Sequence, residues 1–171
     1  MLEPRAGKAG GIMANDGATA KAGNGAPRGA LARFRLAAAP GHLIRRAQQR
    51  HQDIYAEEVG TRGPTSRQFA VLLTICQRPG LTQSELGKAT GIDRSTIGAM
   101  LDRLVGKRLI ERRHLSRDGR ANALHATKAG RRLVAQALPG VARAQARIFR
   151  NLPAGRREEA LALLRVLAGM A

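Results

Sequence analysis

Apolar residues recur at three- and four-residue intervals through much of the chain, a period that predicts α-helices with one buried face. The first such segment predicts one long helix over about 40–59, ended by Gly60. A second helix opens with Pro64 and either Thr65 or Ser66. Its buried stripe consists of four residues, Phe69, Leu72, Leu73 and Cys76.

Two shorter helices follow, and each begins with a capping signature. Thr82 and Glu85 have the spacing of a capping box, so a third helix starts after Thr82 and ends at Gly91. Asp93 caps a fourth helix. The core face of that helix consists of Ile97, Leu101, Leu104 and Val105. Two short helices joined by a tight turn are typical of a helix-turn-helix.

The residues after the fourth helix predict a β-hairpin. Leu109–Leu115 and Ala121–Ala126 are short extended segments, and Asp118-Gly119 between them is a strong turn signal. A hairpin directly after a helix-turn-helix is a wing. The pattern therefore predicts a winged helix-turn-helix domain over 63–127.

Two helices are predicted after the hairpin. Thr127 caps a long helix that kinks at Pro139-Gly140 and continues to about Asn151, and Pro153 opens the last helix. Their apolar positions are Leu133, Val134, Ala137 and Leu138 in one, and Leu161, Leu164 and Leu167 in the other. The predicted fold class is mainly α with a small β-hairpin wing, flanked by helices on both sides.

Residues 1–36 have a different texture, rich in Gly and Ala with no helical or strand period. The segment predicts a disordered basic tail with a net charge of +4, and it lacks the continuous apolar stretch of a secretion signal. Met13 is an alternative start to Met1. The rest of the chain keeps a charge of +14, so the folded part is itself strongly basic.

Composition narrows the class of partner. The chain has 171 residues, a formal net charge of +18 and a sequence pI near 11.8, which indicates a polyanion binder. One Cys excludes a disulfide framework and a Cys-rich metal site, and four aromatic residues disfavour a protein that stacks single-stranded bases. No apolar run is long enough to span a membrane. These numbers favour a cytoplasmic protein that binds double-stranded nucleic acid.

The ordered series of motifs from about Gly41 to Ala168 resembles the MarR family of bacterial transcriptional regulators. The motifs that carry the resemblance are Leu81–Leu86 (LTQSEL), Ile92–Thr96 (IDRST), Leu101–Leu104 (LDRL), Leu109–Arg112 (LIER), Ser116–Arg120 (SRDGR) and Ala126–Gly130 (ATKAG). The resemblance implies a homodimer in which helices of 37–62 and 128–171 interleave. It further implies two winged helices on a palindromic DNA operator, released by a small aromatic acid or a related ligand.

The candidate DNA-binding residues fall into three groups. The polar face of the fourth helix would enter the major groove, and it carries Arg94, Ser95, Thr96 and Arg103. The hairpin tip carries Arg117 and Arg120, which suit a narrow minor groove. Thr65, Ser66, Gln83 and Ser84 stand at helix N-termini, where they either contact phosphate or only cap the helix.

The resemblance places a ligand pocket between the dimerisation helices and the winged helix, so polar residues of the first helix are candidates. They are His42, Arg45, Arg46, Gln49, His51 and Tyr55. Such a lining suits an aromatic carboxylate or the phosphates of an acyl-CoA thioester. The alternative is a basic helix that only adds to the field at the DNA. His42 and His51 lie on opposite sides of the helix, which argues against a shared metal, and no cofactor is predicted.

Two other interpretations remain open. Cys76 shares the face of Phe69 and Leu72, which favours a small buried hydrophobe, although a redox-responsive repressor using Cys76 is an alternative. A sequence-tolerant, nucleoid-type DNA-binding protein would use the same charge. An enzyme is not expected, since no catalytic constellation is present and adjacent carboxylates such as Glu57 and Glu58 would point to different sides of a helix.

Overall fold

The computed structural model describes residues 33–114 and 122–170. In these ranges the helices are α1 (Pro40–Val59), α2 (Ser66–Gln77), α3 (Gln83–Thr90), α4 (Arg94–Gly106), α5 (Lys128–Ile148) and α6 (Arg157–Leu167). Strands β1 (Ile110–His114) and β2 (Asn122–Ala126) form an antiparallel hairpin, and one 3-10 turn spans Leu36–Ala38. The elements confirm the predicted mainly helical fold with a hairpin after the helix-turn-helix.

Four helices begin where a side chain caps the backbone. The oxygens of Thr65, Thr82, Asp93 and Thr127 each accept a hydrogen bond from the amide three residues later, at 2.9 to 3.3 Å. These bonds satisfy amides that the first turn of a helix leaves unpaired. At the other end of α3, Gly91 adopts a left-handed conformation with φ of 66°, which terminates the helix.

The core lies where α2, α3 and α4 meet the hairpin. Its fully buried side chains are Val71, Leu72, Ile75, Leu86, Ile97, Leu101, Leu104, Ile110 and Leu124. The base of the hairpin is tied to the loop before α3, because Leu124 exchanges backbone hydrogen bonds of 2.9 Å with Gly80 and Leu81. The hairpin and the helix-turn-helix therefore share one core.

Helix α5 is continuous through Pro139 and packs closely on α1. A Cβ at Gly140 would lie 2.6 Å from the carbonyl oxygen of Glu58, so only glycine allows this approach. Next to it Arg147 binds Glu57 at 2.7 Å and Glu58 at 2.6 Å, and Arg143 binds Glu58 at 2.8 Å. The expectation that the two glutamates point apart was wrong, because both long side chains reach the same guanidinium.

Two helix bounds near the C-terminus were also wrong. Helix α5 ends at Ile148 rather than near Asn151, and the chain continues in tighter turns in which the amides of Arg150 and Leu152 donate to the carbonyl oxygens of Arg147 and Phe149. Helix α6 starts at Arg157 rather than at Pro153. Gly155 takes a positive φ of 79° in the intervening turn, which a continuous right-handed helix does not accommodate.

Several apolar residues that were expected to form buried stripes are exposed in the single chain. Helix α6 buries none of its residues, and Leu164 and Leu167 are 51% and 69% exposed. Leu138 on α5 and Leu43 on α1 are also exposed. Within the described residues, no helix combines the length and the apolar character that crossing a membrane requires.

Candidate nucleic-acid interface

A groove of about 850 Å³ runs between α3, α4 and one face of the hairpin. It brings together three of the predicted DNA-binding residues, Gln83, Ser84 and Arg94. The other polar residues along it are Thr82, Lys88, Asp102, Arg112 and Asn122. The groove has a net positive charge, because its lining contains three basic residues, Lys88, Arg94 and Arg112, and one acidic residue, Asp102. It therefore suits a polyanion.

The first turn of α4 is fixed by Asp93. The carboxylate accepts hydrogen bonds from the hydroxyl of Ser95 at 2.7 Å and from the amide of Thr96 at 2.9 Å. Hydrogen bonds from Thr96 first and then from Ser95 hold the pKa of Asp93 well below its usual value. The hydroxyl of Ser95 thus donates its proton to the capping carboxylate of Asp93, whereas the neighbouring Arg94 is exposed.

Helices α3 and α4 approach each other at a glycine. A Cβ on Gly98 would lie 3.3 Å from Nε2 of Gln83, so the glutamine side chain lies against α4 at this position. Gln83 is half-buried there, and Ser84 beside it is exposed. Both residues sit in the first turn of α3, where the helix dipole favours an anion.

The hairpin is held against α4 by an ion pair that was not predicted. Arg112 on β1 donates to Asp102 on α4 at 2.7 Å. Successive side chains of a strand point to opposite faces, so the sequence alone could have shown which face of the hairpin Arg112 occupies. Its partner could not, because Asp102 lies ten residues earlier and on another element.

Two other predicted residues of α4 have different surroundings. Arg103 is exposed, and its Nε donates to the carbonyl oxygen of Ala99 at 3.1 Å. Thr96 is half-buried beside the cap. The hairpin-tip candidates Arg117 and Arg120 lie outside the described residues.

Thr65 and Ser66 are not part of this groove. They line a separate cavity of about 490 Å³ between the C-terminal half of α1 and the N-terminus of α2. Its other lining residues are Gln52, Tyr55, Ala56, Gly60, Thr61, Gly63, Pro64 and Arg67. Thr65 caps α2 through a complete capping box with Gln68, so capping accounts for its position.

Of the six candidate ligand residues, only Tyr55 lines the cavity between α1 and α2. The ring of Tyr55 is buried, with centroid distances of 6.1 Å to His51 and 6.4 Å to Phe69. Its hydroxyl is buried without a hydrogen-bond partner among the described residues, and burial raises its pKa to about 12. Such a hydroxyl is an unsatisfied donor next to a cavity.

The remaining ligand candidates lie elsewhere along α1. His42 accepts from Arg45 at 3.3 Å, and Gln49 donates to Asp53 at 2.9 Å. Arg46 is exposed. In the single chain none of these side chains is among the residues that line the cavity beside Tyr55.

Cys76 is half-buried at the edge of the core. Burial raises the pKa of its thiol, and the charge of Arg131 opposes the rise. A raised pKa keeps the sulfur protonated, which fits a small apolar residue better than a reactive thiolate. Among the described residues, no cluster of three His, Cys, Asp or Glu side chains is placed to hold a metal ion.

Comparison with known proteins agrees with this geometry. The model of the MarR family matches residues 62–121, the helix-turn-helix and hairpin region. The transcriptional repressor NicR of Pseudomonas putida KT2440 is 32% identical over 125 residues, which cover 73% of this chain and 79% of NicR. The chain belongs to the MarR family.

Solved MarR-like structures superpose on most of the chain. The PcaV transcriptional regulator of Streptomyces coelicolor, in complex with its natural ligand, is 34% identical with a TM-score of 0.74 and covers 80% of this chain and 96% of its own. BpsR of Bordetella bronchiseptica, whose DNA binding is regulated by 6-hydroxynicotinic acid, is 30% identical with a TM-score of 0.70 and covers 75% and 97%. The MarR-family relatives of the present chain are transcriptional regulators rather than enzymes.

Proposed function

We propose that this MarR-family chain is a homodimeric repressor that binds a palindromic DNA operator in the cytoplasm and is released by a small aromatic acid. The observation that carries the proposal is the cationic groove between α3, α4 and the hairpin. There Arg94 and the first turn of α3 converge with Arg112 on one surface. In this geometry α4 enters the major groove and the hairpin lies beside it.

Exposed apolar faces support the homodimer. Leu43 and Ile44 on α1, Leu138 on α5 and the face of α6 would remain in water in a single chain. Large apolar side chains exposed on several helices, including a whole face of α6, are typical of a protein–protein interface. A second copy that covers them would set two α4 helices at a fixed separation, as binding to successive major grooves, about 34 Å apart, requires.

DNA binding is tested by anisotropy titration of a fluorescent duplex from the region upstream of the gene. Arg94→Gln removes one charge from each protomer of the dimer, so it should weaken binding and lower the salt slope by about 2 if Arg94 contacts phosphate, or change base preference if it contacts a base edge. Arg103→Gln separates the same two outcomes for the other exposed arginine of α4. The control Arg150→Gln removes an equal charge after α5 and should leave affinity nearly unchanged.

Equal affinity for the upstream duplex and for random duplex at fixed salt would overturn the repressor proposal. That result would favour a sequence-tolerant, nucleoid-type protein. A response to peroxide that disappears in Cys76→Ser would instead favour the redox-responsive repressor.

For the effector, the cavity beside Tyr55 is the site that the geometry supports best. It is mostly lined by small residues, and it borders one buried hydroxyl and the N-terminus of α2, which suits a carboxylate on an aromatic ring. One relative supports the class of ligand, since the DNA binding of BpsR is regulated by 6-hydroxynicotinic acid, and PcaV supports a ligand site in this fold because its structure contains its natural ligand. An acyl-CoA thioester is the alternative effector.

The effector site is tested with Tyr55→Phe, which removes one oxygen. Because that hydroxyl is unpartnered without ligand, the variant should be as stable as the wild type or slightly more stable. Operator affinity should persist, while release by aromatic acids such as 6-hydroxynicotinic acid should need about tenfold more ligand, the equivalent of about one hydrogen bond. An unchanged half-effective concentration would exclude Tyr55 from the site.

A further inference from the structure

A second pocket lies on the opposite side of the hairpin from the DNA groove. It has a volume of about 330 Å³ and is bounded by the end of α2, the outer face of the hairpin and the N-terminus of α5. Its charged and titratable residues are Glu111, Arg113, His125, Lys128 and Arg131. The rest of its wall is formed by Ile75, Cys76, Pro79, Ala126 and Thr127.

Strand alternation explains why this pocket is distinct from the DNA groove. Arg112 and Leu124 are paired across the hairpin and line the groove beside α4, whereas the neighbouring pair Glu111 and His125 lines this pocket. Residues one apart on a strand face opposite ways. Duplex DNA that docks on α4 would therefore leave the second pocket unfilled.

The charges in the pocket are unbalanced toward positive. Glu111 is paired with Arg113, whose Nε donates to it at 3.0 Å, so these two cancel. Lys128 and Arg131 remain, on the first turn of α5 where the helix dipole is also positive. The guanidinium of Arg131 is anchored by a hydrogen bond from Nη1 to the carbonyl oxygen of Ala126, which also lines the pocket.

The opposite wall is apolar and contains the thiol of Cys76. Ile75 lies in this wall but is fully buried, so the apolar surface open to a ligand comes from the half-buried Cys76 and the exposed Pro79. A ligand that fits must therefore combine a compact anion with an apolar part. An ammonium, a guanidinium and a helix N-terminus together match the charge and the multiple acceptors of a phosphate group.

We propose that this pocket binds a small organic phosphate, with the phosphate between Lys128 and Arg131 and the apolar part against Cys76 and Pro79. The site is separate from the proposed DNA groove and from the cavity beside Tyr55. A volume near 330 Å³ is at the small end of ligand pockets, which fits a molecule of one ring and one phosphate.

Cys76 is the only cysteine in the chain, so its reaction with disulfide reagents reports on this pocket alone. The sulfur attacks the reagent as the thiolate, forms a mixed disulfide and releases the other half of the reagent, as the yellow thiolate from the nitrobenzoate and, after uptake of a proton, as 4-thiopyridone from the dipyridine. Two reagents are compared on the full-length protein, the dianion 5,5′-dithiobis(2-nitrobenzoate) and the uncharged 4,4′-dithiodipyridine. The ratio of their rates measures attraction of an anion independently of the reactivity of the thiol.

The ratio should fall by about three- to tenfold in Arg131→Gln and in Lys128→Gln, as expected for loss of one nearby charge in partly screened surroundings. The control Arg132→Gln removes an equal charge from the neighbouring exposed position of α5, which does not line the pocket, and should keep the wild-type ratio. Using two variants keeps the test valid if Arg131→Gln perturbs the fold through its bond to Ala126.

Binding itself is tested by protection. Phenyl phosphate should slow the reaction of Cys76 saturably and beyond the effect of KCl at equal ionic strength, and Lys128→Gln should remove the protection. Inorganic phosphate should protect at higher concentration because it lacks the apolar part. Protection no greater than that of KCl, or equal protection in Lys128→Gln, would overturn the proposal. Protection by duplex DNA without protection by phenyl phosphate would also overturn it and would assign these cations to the DNA backbone.

Discussion

Gly130 illustrates how one residue fixes the attachment of the hairpin. A Cβ at this position would lie 2.1 Å from the carbonyl oxygen of Leu109, the residue just before β1. The hydroxyl of Thr127 accepts from the Gly130 amide and donates to the carbonyl of Arg108 at 2.8 Å. The start of α5 and the start of the hairpin are thus in direct backbone contact.

Gly130→Ala should lower the free energy of unfolding by about 1–3 kcal/mol, because the methyl group must push the backbone of Leu109 away. Urea unfolding followed by circular dichroism measures this loss. The control Gly106→Ala has open space around its Cβ and lies in a helix, so it should be neutral or slightly stabilising. Equal stability of Gly130→Ala and the wild type would mean that this contact is looser than described.

Residues at helix N-termini, which look alike in the sequence, border different surfaces in the structure. Thr65 and Gln83 both stand at helix N-termini, yet Thr65 borders the Tyr55 cavity while Gln83 lies in the DNA groove. Local sequence determines capping, since a cap bond spans three residues. It does not determine which surface the cap faces, because that depends on how the helices pack.

At the scale of elements, α1 and α5 are joined by a short seam of charge. Glu57 and Glu58 from α1 meet Arg143 and Arg147 from α5, and the side chain of Glu58 is only 16% exposed. Hydrogen bonds from Arg147 first and then Arg143 hold the pKa of Glu58 below its usual value of 4.5. The carboxylate is therefore stabilised more in the folded state than in the unfolded state.

A group whose folded pKa is lowered contributes stability above its unfolded pKa and loses it as the pH falls through the folded pKa. The contribution of Glu58 should thus be complete above about pH 4.5 and decline below it. Glu58→Gln should unfold more easily than the wild type at pH 7, with the difference shrinking as the pH is lowered below 4. Chemical denaturation at a series of pH values measures it.

Some acid sensitivity should persist in Glu58→Gln, because the pKa values of Asp93 and Glu85 are also lowered by their capping bonds. The matched control Glu158→Gln alters a carboxylate on α6, away from the seam, and should follow the wild-type pH profile. A constant difference between Glu58→Gln and the wild type at all pH values would contradict ionic stabilisation at the seam.

The sequence predicted elements whose signals are local. The caps at Thr82, Asp93 and Thr127 each placed a helix start correctly, and the start of the second helix was narrowed to Thr65 or Ser66. The two predicted strands match the observed ones within one residue at each end, while the Asp118-Gly119 turn between them lies outside the described residues. Pairs that depend on tertiary packing were not predicted. Two sets of ion pairs are examples: Arg112 with Asp102, and Arg147 with Glu57 and Glu58. Each joins two different elements, and a local sequence pattern does not show which elements pack against each other.

For the whole molecule, the apolar faces of α1 and α6 make the oligomeric state part of the proposed function. Leu163 and Leu167 are one helical turn apart and 57% and 69% exposed. They lie on the last helix, which buries none of its residues in the single chain. Charged side chains introduced on this face would disfavour packing of a second copy, and they would not disturb the core of the winged helix.

Leu163→Glu combined with Leu167→Glu should convert the protein to a monomer, measured by light scattering after size exclusion. Affinity for a palindromic operator should fall about 100-fold or more, because the second recognition event is no longer intramolecular. Gln77→Glu, an exposed change on α2, should remain dimeric. A double variant that stays dimeric and binds normally would remove α6 from the proposed interface.

The continuity of α5 has a mechanical consequence. Its N-terminal end holds the base of the hairpin through Thr127 and Gly130, and Gly140, twelve residues after Lys128 at the start of the helix, packs against the backbone of Glu58. At 1.5 Å per residue, Gly140 is a fulcrum about 18 Å from Lys128. A tilt of about 10° around it would displace the hairpin end of α5 by about 3 Å, comparable to the length of one hydrogen bond. The helix is thus a lever whose long arm ends at the base of the hairpin, and the opposite face of that hairpin borders the proposed DNA groove.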